Sequence, residues 1–190
     1  MSNVSKFWLD RHQTVLAVID VQERLVPSMD QKIYQRVKAN IEFLIKTADE
    51  LKIPVVVTEQ YPKGLGHTVA ELAGASGEPG AIEKLSFGCC GEPDFMRRLQ
   101  ELGRDNILVT GMEAHVCVYQ TVLGLIESGY NAHLVRDAIC SRGKVDYLTA
   151  LELSRSAGAV VTTAETAAFQ LLKVAGSPEF KAVSKLVREK

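Results

Sequence analysis

The sequence predicts an α/β fold: one domain of three layers, α/β/α, in which helices cover both faces of a six-stranded parallel sheet. Short apolar runs, many of them β-branched, alternate six times with stretches that carry apolar residues at helical spacing. The 190 residues are 46% hydrophobic and 24% charged, which suits one domain with a substantial core. No repeat or linker divides the chain, so residues 1–190 are expected to form a single domain.

Each predicted strand is a short apolar run bounded by polar or turn-forming residues. The first ends in an acid, the second follows Pro54, the third is the weakest, and the fourth is closed by Gly111. Continuous apolar runs of this kind are typical of strands that are buried on both faces. In chain order, the predicted strands are 14–21, 55–58, 81–85, 106–110, 132–135 and 159–162.

Helices are predicted where apolar residues recur every three or four positions. Pro54 ends the first helix and Pro93 suits the first turn of a later one, whereas Gly129 and Gly158 are placed to end two others. The segments 59–66, 74–80 and 87–91 are predicted to be loops. In chain order, the predicted helices are 31–52, 68–72, 93–102, 114–128, 146–157, 166–174 and 177–188.

Composition argues against several classes of function. The 22 Lys and Arg nearly balance the 23 Asp and Glu, and no basic block occurs, which disfavours a nucleic-acid binder held by bulk charge. No apolar run is long enough to span a membrane, and residues 1–11 lack the features of a secretory signal. The spacing of the four cysteines fits neither a zinc site nor a disulfide framework, so we expect free thiols in the cytoplasm.

Three reactive side chains follow the predicted strands. In parallel sheets of this type, ligands bind beyond the carboxyl ends of the strands. Asp20 follows the first strand, Lys84 ends the third, and Cys117 lies where the loop after the fourth strand becomes a helix. A helix start favours a thiolate, and its free N–H groups suit an oxyanion.

Each of these residues also has a structural interpretation. Asp20 could cap a turn, Lys84 could be a solvated surface lysine, and Cys117 could be a small buried hydrophobe. Together, however, they supply a base, a cation and a nucleophile at one edge of one sheet. The adjacent Cys89 and Cys90 leave a redox role open, whereas Cys140 is expected to be buried near the same edge.

No cofactor signature is present. The sequence lacks both GxGxxG after the first strand and GxxxxGK[ST], which excludes the dinucleotide and P-loop interpretations. The four histidines show neither HxH nor HExxH spacing, and no metal ligand set is expected. We therefore predict no metal and no cofactor, with a small molecule as the substrate.

The residues around the three candidates resemble the isochorismatase-like cysteine hydrolases. The resemblance rests on segment 18–22, Lys84 after a short strand, and segment 109–111 leading to Cys117. Segments 58–66 and 111–117 are similar to the isochorismatase domain-containing subgroup. The resemblance covers nearly the whole chain in order.

This resemblance implies specific structural features. It implies the strand order 3-2-1-4-5-6 and a catalytic triad of Asp20, Lys84 and Cys117. It also implies a cis peptide bond between Met112 and Glu113, with the backbone N–H groups of Glu113 and Cys117 forming an oxyanion hole. Members of the family commonly assemble, so a homo-oligomer, a dimer or larger, is expected.

The resemblance also directs the expected chemistry. Isochorismatase proper lacks the cysteine, so Cys117 favours amide hydrolysis through a thioester over vinyl-ether cleavage. Nicotinamidases of the family carry an Asp and two His as metal ligands after the second strand, and the segment EQYPKGLGHT has no such set. A metal-independent cysteine amidohydrolase is expected; a non-catalytic binding or scaffold protein and a thiol-redox protein are the alternatives. Pocket candidates are Gln22, Glu59, Gln60, Tyr61, Phe87 and His115, the last of which could equally face away.

Overall fold

A six-stranded, all-parallel sheet in the order β3-β2-β1-β4-β5-β6 forms the middle layer of the protein. A computed structural model of the chain describes residues 4–76 and 80–189. Helices pack on both faces of the sheet, which confirms the predicted three-layer α/β/α architecture and its strand order. In the described residues, no helix is both long and apolar enough to cross a membrane.

The strands and helices alternate along the chain as predicted. The strands are β1 Thr14–Ile19, β2 Val55–Gln60, β3 Ile82–Lys84, β4 Asn106–Met112, β5 Asn131–Cys140 and β6 Val160–Thr162. The helices are α1 Gln31–Leu51, α2 Pro62–Leu65, α3 Pro93–Leu102, α4 Tyr119–Glu127, α5 Lys144–Ser156, α6 Ala164–Leu172 and α7 Pro178–Glu189. Short 3₁₀ turns lie at Ser5–Phe7, Val26–Ser28, Ala73–Ser76 and Cys89–Gly91, and a π-helical turn at Ala114–Val118 precedes α4.

Strand β1 supplies both cores because its side chains alternate between the two faces of the sheet. Leu16 and Val18 pack with α1, α6 and α7, whereas Val15, Ala17 and Ile19 pack with α3, α4 and α5. All five side chains are buried. The central strand is therefore held on both sides, which fixes the position of the residue that follows it.

Three elements differ from the sequence prediction. Strand β5 continues to Cys140, because the polar Arg136 and Asp137 sit at partly exposed positions within a strand that continues through a register shift. Thr68 lies in an isolated bridge to Gln22 rather than in a helix, and a short helix, α2, forms inside the predicted loop 59–66. Residues 77–79 of the predicted loop 74–80 lie outside the described residues.

Gly111 permits the close approach of β4 to the end of β1. Its φ is +113°, and a Cβ built there would lie 2.0 Å from the carbonyl oxygen of Ile19. No residue with a side chain fits this position without moving one of the two strands. The contact fixes the distance between the start of the Cys117 loop and the backbone that precedes Asp20.

Candidate active site

Asp20, Lys84 and Cys117 meet at the carboxyl edge of the sheet. Asp20 follows β1 directly, Lys84 is the last residue of β3, and Cys117 lies in the π-helical turn after β4. Strand β2 separates β1 from β3, yet the extended lysine places its Nζ 2.7 Å from Asp20 Oδ2. Neither of these two side chains is accessible to solvent, so the ion pair is fully buried.

The Lys84 ammonium is surrounded by acceptors. Besides its ion pair with Asp20, it donates to Gln60 Oε1 at 2.6 Å and to the carbonyl oxygens of Ser86 and Phe87 at 3.2 and 2.9 Å. Burial disfavours its charged form, but the negative charges that can form on Asp20, Cys89 and Cys117 outweigh this effect, so the pKa of Lys84 lies above its usual value. Lys84 therefore stays a cation.

The thiol of Cys117 lies close enough to the carboxylate of Asp20 for each group to shift the pKa of the other. Burial raises the pKa of Asp20, although Lys84 and the hydrogen bonds that the carboxylate accepts oppose the shift. Burial, followed by the charge of Asp20, also raises the pKa of the Cys117 thiol. The raised pKa favours the thiol form of Cys117 over the thiolate that its place near a helix start suggests.

The net charge of this site is zero whether the thiol proton lies on Cys117 or on Asp20. With Lys84 cationic, Asp20 anionic and Cys117 neutral, the buried group carries no net charge. Transfer of the thiol proton to Asp20 moves the negative charge to sulfur, which also interacts with Lys84. The arrangement can therefore generate a thiolate without leaving an uncompensated charge in the interior.

Arg142 holds the side chain of Glu113 in place through three hydrogen bonds. Its carboxylate accepts from Arg142 Nε at 3.1 Å, from Arg142 Nη2 at 2.9 Å and from the Arg142 backbone N–H at 3.2 Å. The peptide bond between Met112 and Glu113 is cis. His115 lies two residues further on, with Nδ1 2.9 Å from Ser141 Oγ, and is partly exposed.

Gln22 is buried and both ends of its amide are used. Its Nε2 donates to the carbonyl oxygens of Gln60 and Gly66, at 3.0 and 2.6 Å, and its Oε1 accepts from the Gln60 backbone N–H at 2.8 Å. Gln60 in turn supplies the side-chain oxygen that contacts Lys84. These two candidates support the end of β2 from inside.

Glu59 faces the segment after α2. Its Oε1 accepts from the N–H and the hydroxyl of Thr68, at 2.6 and 2.7 Å, and its Oε2 lies 2.9 Å from His67 Nδ1. Burial raises the pKa of Glu59, but these hydrogen bonds prevail and lower it overall; the same contact raises the pKa of His67. Within residues 4–76 and 80–189, no cluster of three or more His, Cys, Asp or Glu suits a metal ion.

Tyr61 and Phe87 are the exposed members of the candidate set. Tyr61 is 51% and Phe87 is 54% exposed, and they follow β2 and β3, respectively. The backbone carbonyl oxygen of Phe87 accepts a hydrogen bond from Lys84, so this residue is attached directly to the buried triad. Both aromatic rings are accessible to a molecule that approaches this edge.

All four cysteines are free thiols. Cys140, the last residue of β5, lies with its Sγ 3.9 Å from Met112 Sδ, and burial raises its pKa to about 12. Burial also raises the pKa of Cys90 to about 12 and that of Cys89 to about 11. Of these three, Cys89 is the thiol whose charge interacts with Asp20 and Lys84.

Two residues that contact this site, Arg142 and Thr58, are not among the residues predicted from the sequence. Arg142 holds Glu113, and Thr58 donates a hydrogen bond to Asp20 Oδ1 at 2.7 Å. Arginine after a strand and threonine within a strand are both common, so neither residue type by itself indicates a functional site. The pairing of β1 with β2 would have indicated Thr58, because its register partner is Ile19.

Comparisons with known proteins agree on one family. The family model described as the isochorismatase domain matches residues 14–166. The chain is 37% identical to isochorismatase family protein 1A of Dictyostelium discoideum over 187 residues, which are 96% of the chain and 89% of that protein. It is 36% identical to isochorismatase domain-containing protein 2 of Xenopus laevis over 182 residues, which are 95% of the chain and 86% of that protein.

Solved structures show the same fold. The structure described as MAR1 ribonuclease from Caenorhabditis elegans superposes with a TM-score of 0.88 and 37% identity over 95% of this chain and 92% of that one. The YcaC gene product from Escherichia coli, described as an octameric hydrolase of unknown specificity, superposes with a TM-score of 0.84 and 21% identity over 94% of this chain and 90% of that one.

Proposed function

We propose that this chain, which belongs to the isochorismatase family, is a metal-independent cysteine hydrolase that cleaves an amide-type C–N bond in a small molecule. Membership of this family supports a hydrolase role. The observation that carries this proposal is the buried ion pair of Lys84 with Asp20, 2.7 Å apart, at the edge of the sheet where the Cys117 thiol interacts electrostatically with both groups. A nucleophile, its base and a charge-balancing group are thus brought together.

In the first half of the reaction, Asp20 takes the proton of the Cys117 thiol as sulfur attacks the carbonyl carbon. A C–S bond forms, and the electron pair of the carbonyl moves onto oxygen, where the N–H groups of Glu113 and Cys117 bind it. The C–N bond then breaks, and Asp20 gives its proton to the departing nitrogen. The product of this half is a thioester on Cys117.

In the second half, Asp20 accepts a proton from water, whose oxygen attacks the thioester carbon. The C–S bond breaks, Cys117 regains a proton through Asp20, and a carboxylic acid leaves. Lys84 keeps the negative charge balanced whether it resides on Asp20 or on Cys117. No external reductant or oxidant enters the cycle.

The substrate is proposed to bind at the edge lined by exposed and supporting residues. Tyr61, Phe87 and His115 contact it directly, and Gln22, Glu59 and Gln60 shape the wall from beneath. The pairing of Glu59 with His67 and Thr68 supports the metal-independent reaction, because its carboxylate oxygens already have partners. No cofactor takes part in the proposed reaction.

We also propose a homo-oligomer in the cytoplasm, with residues 1–190 acting as one domain. The YcaC gene product is described as octameric, and Leu85, at the same edge as Lys84, is 75% exposed. Light scattering during size-exclusion chromatography measures the assembly. The four free thiols are consistent with a reducing compartment.

The experiment is an ammonia-release screen over small amides, ureides and carbamoyl compounds, followed by substitution of the nucleophile. For a substrate that the wild type hydrolyses, Cys117→Ala is expected to lower kcat/KM by about 10³-fold or more. Cys140→Ala, which alters a buried thiol in β5, is the matched control and should retain activity. Full amidase activity in Cys117→Ala would refute the mechanism.

Two other substrates belong in the screen as controls. Isochorismate tests the vinyl-ether reaction that the family name suggests, and RNA tests the activity in the description of the MAR1 relative. The net charge of −1 offers no general attraction to RNA. Hydrolysis of either substrate that survives Cys117→Ala would point to a different mechanism.

A further inference from the structure

Thr58 is a fully buried residue of β2 that contacts the acid of the site. Its register partner in β1 is Ile19, so its side chain lies next to Asp20. Thr58 Oγ1 is 2.7 Å from Asp20 Oδ1, on the opposite oxygen from the one that faces Lys84. The two carboxylate oxygens of Asp20 are therefore held by two different strands.

The direction of this hydrogen bond follows from proton counting. An ionised carboxylate can only accept, so the single proton of the Thr58 hydroxyl points at Asp20. The same hydroxyl oxygen accepts from the thiol of Cys89, whose Sγ is 3.7 Å away. Cys89 is fully buried, so Thr58 is fixed as donor on one side and acceptor on the other.

The contacts continue from Cys89 to the nucleophile. The backbone N–H of Cys89 donates to Thr121 Oγ1 at 2.9 Å, and that hydroxyl donates to the carbonyl oxygen of Cys117 at 2.6 Å. These contacts join Asp20 to the backbone of Cys117 by way of β2, the 3₁₀ turn Cys89–Gly91 and α4.

We propose that Thr58 is a positioning residue that keeps Asp20 ionised and oriented as the proton acceptor, and that it thereby sets the acid side of the pH range in which Cys117 reacts. Cys89 and Thr121 complete the support by fixing the Thr58 hydroxyl and the backbone of Cys117. The inference rests on the proposed function, since it assigns Thr58 a part in that proton transfer.

Only a few groups next to Asp20 could influence the pH range in which Cys117 reacts. The titratable groups that face it are Lys84 from β3, Cys117 from the π-helical turn and Cys89 from the turn before α3. Burial raises the pKa of Asp20, and the charge of Lys84 and the hydrogen bond from Thr58 both lower it. Thr58 has no titratable side chain, so its substitution changes no charge.

The test uses iodoacetamide as a probe that needs no known substrate. The rate of Cys117 alkylation is followed from pH 4 to 8 by peptide mass spectrometry in the full-length protein. Thr58→Val replaces the hydroxyl by a methyl group of similar size, and the midpoint of the acid limb is expected to rise by about one pH unit. The sign follows because a carboxylate that loses a hydrogen bond holds its proton more tightly.

A second pair of variants isolates the hydroxyl if packing suffers. Thr58→Ser and Thr58→Ala both lack the methyl group and differ only in the hydroxyl, so serine should keep the wild-type midpoint and alanine should show the shift. Thr47→Val removes the hydroxyl of a buried threonine in α1, which bonds to the Phe43 carbonyl oxygen, and should leave the midpoint in place.

The outcomes separate the two proposals. If the wild-type protein shows a pH-dependent reaction at Cys117 and both Thr58→Val and Thr58→Ala keep its midpoint, the role of Thr58 is wrong and the proposed function stands. If both variants lower only the plateau rate, Thr58 is merely structural. If Cys117 in the wild type does not react in this pH-dependent way, both proposals fail together.

Discussion

Lys84 Nζ lies 2.7 Å from Asp20 Oδ2 across an intervening strand, and neither side chain reaches solvent. A buried ion pair of this kind makes each partner dependent on the other. Removing one charge leaves the second without compensation in the interior, which costs about 3–5 kcal/mol in other proteins. Substituting one or both members of this ion pair can therefore separate its effect on stability from its effect on activity.

Lys84→Met is expected to abolish activity and to lower the free energy of unfolding by about 3–5 kcal/mol at pH 7. In this variant the pKa of Asp20 is raised further, so the variant should gain stability as the pH falls and Asp20 becomes protonated. Urea denaturation at pH 5 and pH 7 measures the difference. The double variant Asp20→Asn/Lys84→Met should recover stability without activity; a double variant as unstable as Lys84→Met would contradict the argument.

Gly111→Ala tests the close approach of β4 to β1. The added Cβ would lie 2.0 Å from the Ile19 carbonyl oxygen at a φ of +113°, so we expect either no folded protein or a loss of several kcal/mol. Gly158→Ala is the control, because Gly158 has a φ of +110° but no atom within 4 Å of its added Cβ. It should cost only about 1–2 kcal/mol. Equal losses in thermal denaturation would show that backbone conformation, not the contact, matters at Gly111.

Arg142→Ala tests the support of Glu113, whose backbone N–H is the proposed oxyanion donor. Arg142 is 62% exposed at its side chain, so the variant should fold, whereas the Glu113 carboxylate loses two of its three hydrogen bonds. We expect kcat to fall about tenfold with a smaller change in KM, since a donor that moves slightly loses much of its effect. Arg142→Lys should retain part of the activity.

An alternative result for Arg142 is equally informative. If Arg142→Ala changes KM alone, the residue binds substrate instead of holding Glu113. Arg136→Ala offers a comparison, because Arg136 is an exposed arginine in β5 without a contact to Glu113 among the interactions of the described residues. Its kinetics should match the wild type.

The pairing of Glu59 with His67 predicts a titration that nuclear magnetic resonance can follow. The Glu59 carboxylate raises the pKa of His67, so Glu59→Gln should return that pKa toward the ordinary value of about 6.5. In the wild type, the stabilisation from protonated His67 is present below pH 6.5 and is lost as the pH rises through its higher folded-state value. An unchanged His67 titration in Glu59→Gln would show that the contact does not form in solution.

Much of the fold followed from local pattern. The apolar run before Asp20 and the helical spacing of α1 predicted β1 and the first crossover, because burial on both faces of a sheet leaves a continuous hydrophobic run. The end of β5 did not follow, since polar residues at 136 and 137 imitate a strand end. The sequence carries no local sign that the strand resumes beyond them.

The site was predictable as a set of strand ends but not as a network. Asp20, Lys84 and Cys117 could be selected because parallel strands present their carboxyl ends at one edge. The Gln22 amide bonds to backbone groups through both its nitrogen and its oxygen. These contacts depend on the conformation of a loop, which the spacing of residues in the sequence does not reveal. The contact of Thr58 with Asp20 depends on register, which two apolar strands specify only once they are paired.

Asp20 directly follows β1 and Lys84 is the last residue of β3, whereas Tyr61 and Phe87 belong to the segments that follow β2 and β3. Gln22 anchors the segment after β2 through side-chain hydrogen bonds to the carbonyl oxygens of Gln60 and Gly66. Phe87 contacts Lys84 through its backbone carbonyl, which a substitution of its ring retains, so the chemistry and the recognition of a substrate depend on different groups. An engineer could exchange the aromatic side chains to admit a new substrate and leave the proton-transfer geometry untouched.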